Sequence, residues 1–131
     1  MIHYDEPHLT LHWEPEHNII RAEWKDDVPG GPMREGLEAG LALIREKQAR
    51  KWLVDSRRLG AIDPVDVKWV NDSWIPRAVD AGVSWMAFVQ SRKVVMQMAI
   101  KSFMARINQR DLGIAYFENL DGARAWMNEQ A

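Results

Sequence analysis

The stretch from Lys51 to Gly60, Lys-Trp-Leu-Val-Asp-Ser-Arg-Arg-Leu-Gly, constrains this chain more than any other because it sets a short apolar run directly against a polar turn. Trp52, Leu53 and Val54 are too few for a helix and too continuous for a half-wet strand, which is how a parallel strand buried on both faces reads. Asp55 ends the run. In open α/β sheets, ligands and switches collect outside the carboxyl ends of parallel strands, so Asp55, Ser56, Arg57 and Arg58 occupy a place where binding is expected.

The flanking pattern supplies the rest of the fold. His8 to Trp13 alternates, with Leu9, Leu11 and Trp13 on one side and His8, Thr10 and His12 on the expected wet side. Asn18 to Lys25 repeats that period with Ile20, Ala22 and Trp24, and the polar connector between the two predicts an antiparallel hairpin. A helix is expected from about Pro32 to Ala49, with Met33, Leu37, Leu41 and Ile44 on one face beside Gly40.

After the turn, Asp63-Pro64 has the form of an N-cap followed by proline in the first helical position. The second helical region contains Val67, Trp69, Val70 and Trp74, is expected to break or bend around Ser73 to Pro76, and stops at Gly82. Ser84 to Gln90 is a second continuous apolar run and hence another buried strand. A third helix from Lys93 to Asn108, a strand from Leu112 to Phe117 and a final helix from Leu120 to Glu129 complete the order ββαβαβαβα. The fold class predicted is α/β: a single mixed, mostly parallel sheet of about five strands flanked by helices, with residues 1–131 as one domain.

Composition narrows the function classes. With 17 basic against 19 acidic residues there is no electrostatic footprint for a phosphate backbone, so nucleic acid is not expected as a partner. The absence of cysteine removes disulfides, thiolate nucleophiles and sulfur-ligated zinc. The acidic opening Met1-Ile2-His3-Tyr4-Asp5-Glu6 and the lack of any long apolar stretch predict neither a signal peptide nor a membrane span. The seven tryptophans are more than a small core hides completely, so some are expected to line a pocket or an interface.

Several sharper chemistries do not assemble. His3, His8, His12 and His17 all precede residue 18, yet two strand positions four apart lie roughly 13 Å from each other, too far for one ion, and no metal site is expected. Gly30-Gly31 precedes a helix without the lysine and hydroxyl of a phosphate loop. No serine, histidine and aspartate set is discernible, and no catalytic residue or cofactor is expected. Asp66 and Arg77 are read as polar supports for the Trp69 and Trp74 region. On the third helix, Met96, Ala99, Ile100, Phe103 and Ile107 form the packing face, and Val94, Met98 and Ala105 form a second stripe nearly opposite. That stripe is either a contact between two copies of the chain, one wall of an apolar cavity, or a surface covered by another part of the same chain.

The turn Asp55-Ser56-Arg57-Arg58-Leu59-Gly60 resembles the Asp-Ser-Ser-Gly-Leu-Gly turn of SpoIIAA-type anti-sigma-factor antagonists, the STAS fold. Lys51 to Asp55, Asp66 with Trp69, Trp74 to Ala78 with Gly82, and Ala123 with Trp126 further resemble the small stand-alone SpoIIAA-like proteins of bacteria. That resemblance implies a cytoplasmic, non-enzymatic module with a protein partner or a small apolar, lipid-like ligand. It maps the kinase-modified serine of the antagonists onto Ser56, although two arginines stand here where the antagonists have serine and glycine. The binding site expected from these readings combines Trp69 and Trp74 as apolar walls with Asp55, Ser56, Arg57 and Arg58 as the polar rim.

Overall fold

The computed structural model describes residues 2–25, 30–58, 64–90 and 112–130. Its centre is a six-stranded sheet in the order β1-β2-β3-β4-β5-β6. The strands are β1 (Ile2–Glu6), β2 (Leu9–Glu14), β3 (Ile19–Trp24), β4 (Lys51–Asp55), β5 (Trp85–Val89) and β6 (Gly113–Phe117). The first two pairings are antiparallel and the last three parallel, as expected for a mixed, mostly parallel sheet. One strand more is present than the sequence pattern indicates. β1 is mostly exposed and lacks apolar alternation, so its strand character comes from backbone pairing with β2 rather than from burial of a face.

Helix α1 (Gly30–Lys47) begins two residues before the expected proline start. Helix α2 (Pro64–Trp69) runs through a π turn (Val70–Trp74) into α3 (Ile75–Asp80), and the helical dihedrals at Trp69, Trp74 and Ile75 make one rod of the three. Pro76 explains the irregularity. It has no N–H for the ladder, and the Ile75 N–H reaches back five residues to the Val70 carbonyl. Helix α4 (Leu120–Asn128) is capped by Asn119, whose Oδ1 accepts the Gly122 N–H at 2.7 Å.

The period-2 alternation of the strands divides the apolar residues between two layers. Leu11, Ile20, Trp52 and Met86 point to the side of α1 and the rod, while Ile19, Leu53, Ala87 and Val89 meet Ala123 and Met127 of α4. Every residue of β4 is buried, in agreement with a strand covered on both faces. The larger layer is organised by two indoles, Trp52 and Trp74, with ring centroids 5.0 Å apart and exposures of 1% and 2%. The Trp74 N–H donates to the Leu37 carbonyl at 2.7 Å, so the buried indole keeps its polar atom satisfied.

One expectation for the hairpin is corrected. The side of β2 carrying Thr10 and His12 is not a wet face, since Thr10 is buried and His12 half-buried among ionic neighbours. The third helix, with Val94, Met98 and Ala105, lies outside the described residues, as do Leu59, Gly60 and Asp63. Among the described residues no helix is long and apolar enough to cross a membrane.

Close approach of α1 to β4 depends on Gly40. A Cβ at that position would stand 2.6 Å from the Trp52 ring, whereas one at Gly31 would meet nothing within 4 Å. Gly40→Ala is expected to destabilise the protein by about 1–3 kcal/mol through overpacking, and Gly31→Ala to leave it unchanged or slightly more stable. Urea unfolding of the two variants checks this, and equal midpoints would show that α1 shifts freely over Trp52.

Candidate functional site

The carboxyl ends of β3 and β4 meet because the two strands run parallel, with Glu23 opposite Asp55. An open cleft of about 300 Å³ lies there, lined by Glu23, Trp24, Asp55, Arg57 and Arg58. β4 ends in Asp55, and the chain turns at once, so Arg57 folds back over the carboxylate it follows. Its Nε and Nη2 donate to Asp55 Oδ1 and Oδ2 at 2.9 and 2.7 Å, and its backbone N–H reaches Oδ1 at 3.3 Å. This planar fork is the geometry in which an arginine and a carboxylate hold each other most firmly.

Burial pushes the Asp55 carboxyl up, but the hydrogen bonds and charge of Arg57, joined by the charge of Arg21, outweigh it and hold the carboxyl below its ordinary value. The Arg57 guanidinium is raised in turn, chiefly by its hydrogen bond to Asp55. The pair is therefore a fixed, neutralised floor for the cleft. Arg58 differs: among the described residues its exposed side chain makes no ion pair or hydrogen bond.

Not all of the residues expected at the site share this cleft. Ser56 is buried beside it, with its N–H and hydroxyl both donating to the Val89 carbonyl, at 2.9 and 3.1 Å. A kinase would reach that hydroxyl only if the β4–β5 edge opened. Neither Trp69 nor Trp74 appears in the described lining. Trp74 is occupied in the core against Trp52. Trp69 is half-buried, with the guanidinium carbons of Arg34 and Arg77 at 5.1 and 5.8 Å from its ring centroid. Arg34 also pairs with Asp66 at 3.1 Å and Arg77 with Glu38 at 2.5 Å, so Asp66 and Arg77 both tie the helical rod to α1.

Glu23 and Trp24 are the cleft residues that sequence reasoning missed. The available signal was their place at the end of the strand that precedes β4, which becomes informative once the parallel register is known.

A second open cleft of about 300 Å³ lies at the opposite ends of the strands, beside Trp13, Glu14, Glu16, His17 and Arg124. Both terminal guanidinium nitrogens of Arg124 donate to Glu14, and Arg21 adds a contact at 3.4 Å. The Arg124 hydrogen bond, helped by both arginine charges, holds Glu14 below its ordinary value against the opposing effect of burial. His12 lies between the two clefts, 3.5 Å from Glu23, and burial together with the Arg21 charge keeps its imidazole below the ordinary histidine value. Among the described residues no group of three metal-ligating side chains comes together.

No family model and no curated protein matches the sequence.

The Glu14 pairing has a pH signature. Its folded value lies below the unfolded 4.5, so the stability it contributes is complete above that pH and disappears as pH falls through the lowered value. Arg124→Met is expected to lower stability at neutral pH by about 1–3 kcal/mol and to flatten the loss of stability between about pH 5 and pH 3. Urea titrations across that range test it, and an unaltered slope would mean that the pair does not couple protonation to folding.

Proposed function

We propose that this protein is a SpoIIAA-like binding module of the STAS fold that recognises a protein partner through the Asp55–Arg58 turn and the cleft the turn shares with the end of β3. The observation that carries the reading is the Asp55–Arg57 fork, which presets the turn before any partner arrives. A preset turn lowers the ordering cost of association and leaves Arg58 exposed at the rim. The single mixed sheet and the polar turn directly after its central strand support the family reading.

The chemistry of the lining favours a protein over a small apolar ligand. Four of its five described residues are charged, and the fifth, Trp24, is 4% exposed. It also favours binding over acid–base turnover, because a carboxylate held below its ordinary value by a fork has no proton to give near neutral pH. The buried Ser56 hydroxyl, bonded to Val89, favours recognition that does not require phosphorylation.

Arg58→Glu reverses an exposed charge that makes no ion pair or hydrogen bond among the described residues. It is expected to leave the thermal midpoint unchanged and to reduce recovery of a specific partner about fivefold or more in affinity capture from the source organism, quantified by mass spectrometry. Equal recovery by wild type and variant would overturn the turn as the recognition element.

A further inference from the structure

The charges in the β3–β4 cleft are not equivalent. Asp55 and Arg57 are consumed by each other. Glu23, from the opposite wall, lies 3.5 Å from His12, and that imidazole is kept below its ordinary value by burial and by Arg21. At neutral pH the Glu23 contact is therefore with a neutral ring. Arg58, on the turn, has no partner among the described residues. Beside the Asp55–Arg57 pair the cleft thus presents a carboxylate from β3, whose charge also reaches Arg57, and on the turn a guanidinium without a partner among the described residues.

Resting on the reading of this cleft as the recognition site, we propose that it takes a peptide segment bearing a basic and an acidic side chain at adjacent positions, the basic one against Glu23 and the acidic one against Arg58. A purely acidic segment would meet Glu23 as a like charge, and a purely basic one would meet Arg58. Such opposition is a source of discrimination as well as of attraction. The cleft volume of about 300 Å³ is at the small end of ligand sites, which limits the recognised segment to a few side chains.

The test uses the full chain and capped tetrapeptides with Lys-Glu, Glu-Glu or Lys-Lys at the centre, followed by amide chemical shifts of residues 23, 24 and 55–58. The Lys-Glu peptide is expected to shift these amides with affinity about fivefold or more above the other two. Glu23→Gln and Arg58→Gln are each expected to abolish that preference, with the thermal midpoint unchanged in Arg58→Gln and only slightly lowered in Glu23→Gln, which loses the charge facing His12. Equal binding of all three peptides, equal binding of inorganic phosphate or free lysine, or no shift with any probe overturns the proposal.

The two readings separate cleanly. If recovery of a captured partner falls with Arg58→Glu and is untouched by Glu23→Gln, the turn reading stands and the two-charge proposal fails. If neither substitution matters, both fail.

Discussion

The contact on which the architecture rests is that of Trp52 with Gly40 and Trp74. Each large indole removes about 150–250 Å² from water, and these two do so in one place where β4, α1 and the helical rod converge. A side chain on α1 at residue 40 would hold the helix away from the sheet, and loss of the Trp74 N–H would remove the hydrogen bond that ties the rod to the Leu37 carbonyl of α1. The exit direction of β4, and so the position of the polar turn, follows from how firmly this junction seats the strand.

Much of this was legible in the sequence because burial on both faces leaves an unambiguous record. Trp52 to Val54 and Met86 to Val89 read as buried strands, and the helical spacing of Met33, Leu37, Leu41 and Ile44 read as a packed face. β1 left no such record, since a strand held by backbone pairing at an exposed edge need not alternate. A break or bend was expected around Ser73 to Pro76; the structure has instead a π turn over Val70–Trp74 in a continuous rod, a form that depends on which carbonyl the Ile75 N–H selects. The cleft was half legible. Asp55, Arg57 and Arg58 were placed by the end of an apolar run, whereas Glu23 and Trp24 reach the site through strand register, which is a long-range property. Counting tryptophans did not separate a pocket wall from a core residue: Trp74 belongs to the core, and Trp69 to the contact between α1 and the rod.

The two faces of the sheet are solved differently. On one, apolar residues from successive strands pack under α1 and the rod. On the other, α4 packs over β4 to β6, and β1 to β3 carry the pairs Asp5–Lys25, His12–Glu23 and Glu14–Arg21. These pairs are partly exposed, so each contributes modestly and is weakened by salt. Their larger effect is on alternatives: a strand slipped by one residue would carry these charges to the apolar side and the apolar set to the polar one. The ionic face therefore helps specify register where, among the described residues, the apolar packing of that face centres on α4.

The π turn makes the length of the helical rod part of its meaning. A regular helix advances about 100° per residue, so one residue lost between Val70 and Trp74 would restore ordinary pitch while swinging Trp74 away from Trp52. One gained would swing it the other way. Exposed positions in this turn, such as Asn71 and Asp72, are thus free in chemical identity but not in number. An insertion or deletion there would therefore disturb the core contact of Trp74, whereas a substitution at these exposed positions would not.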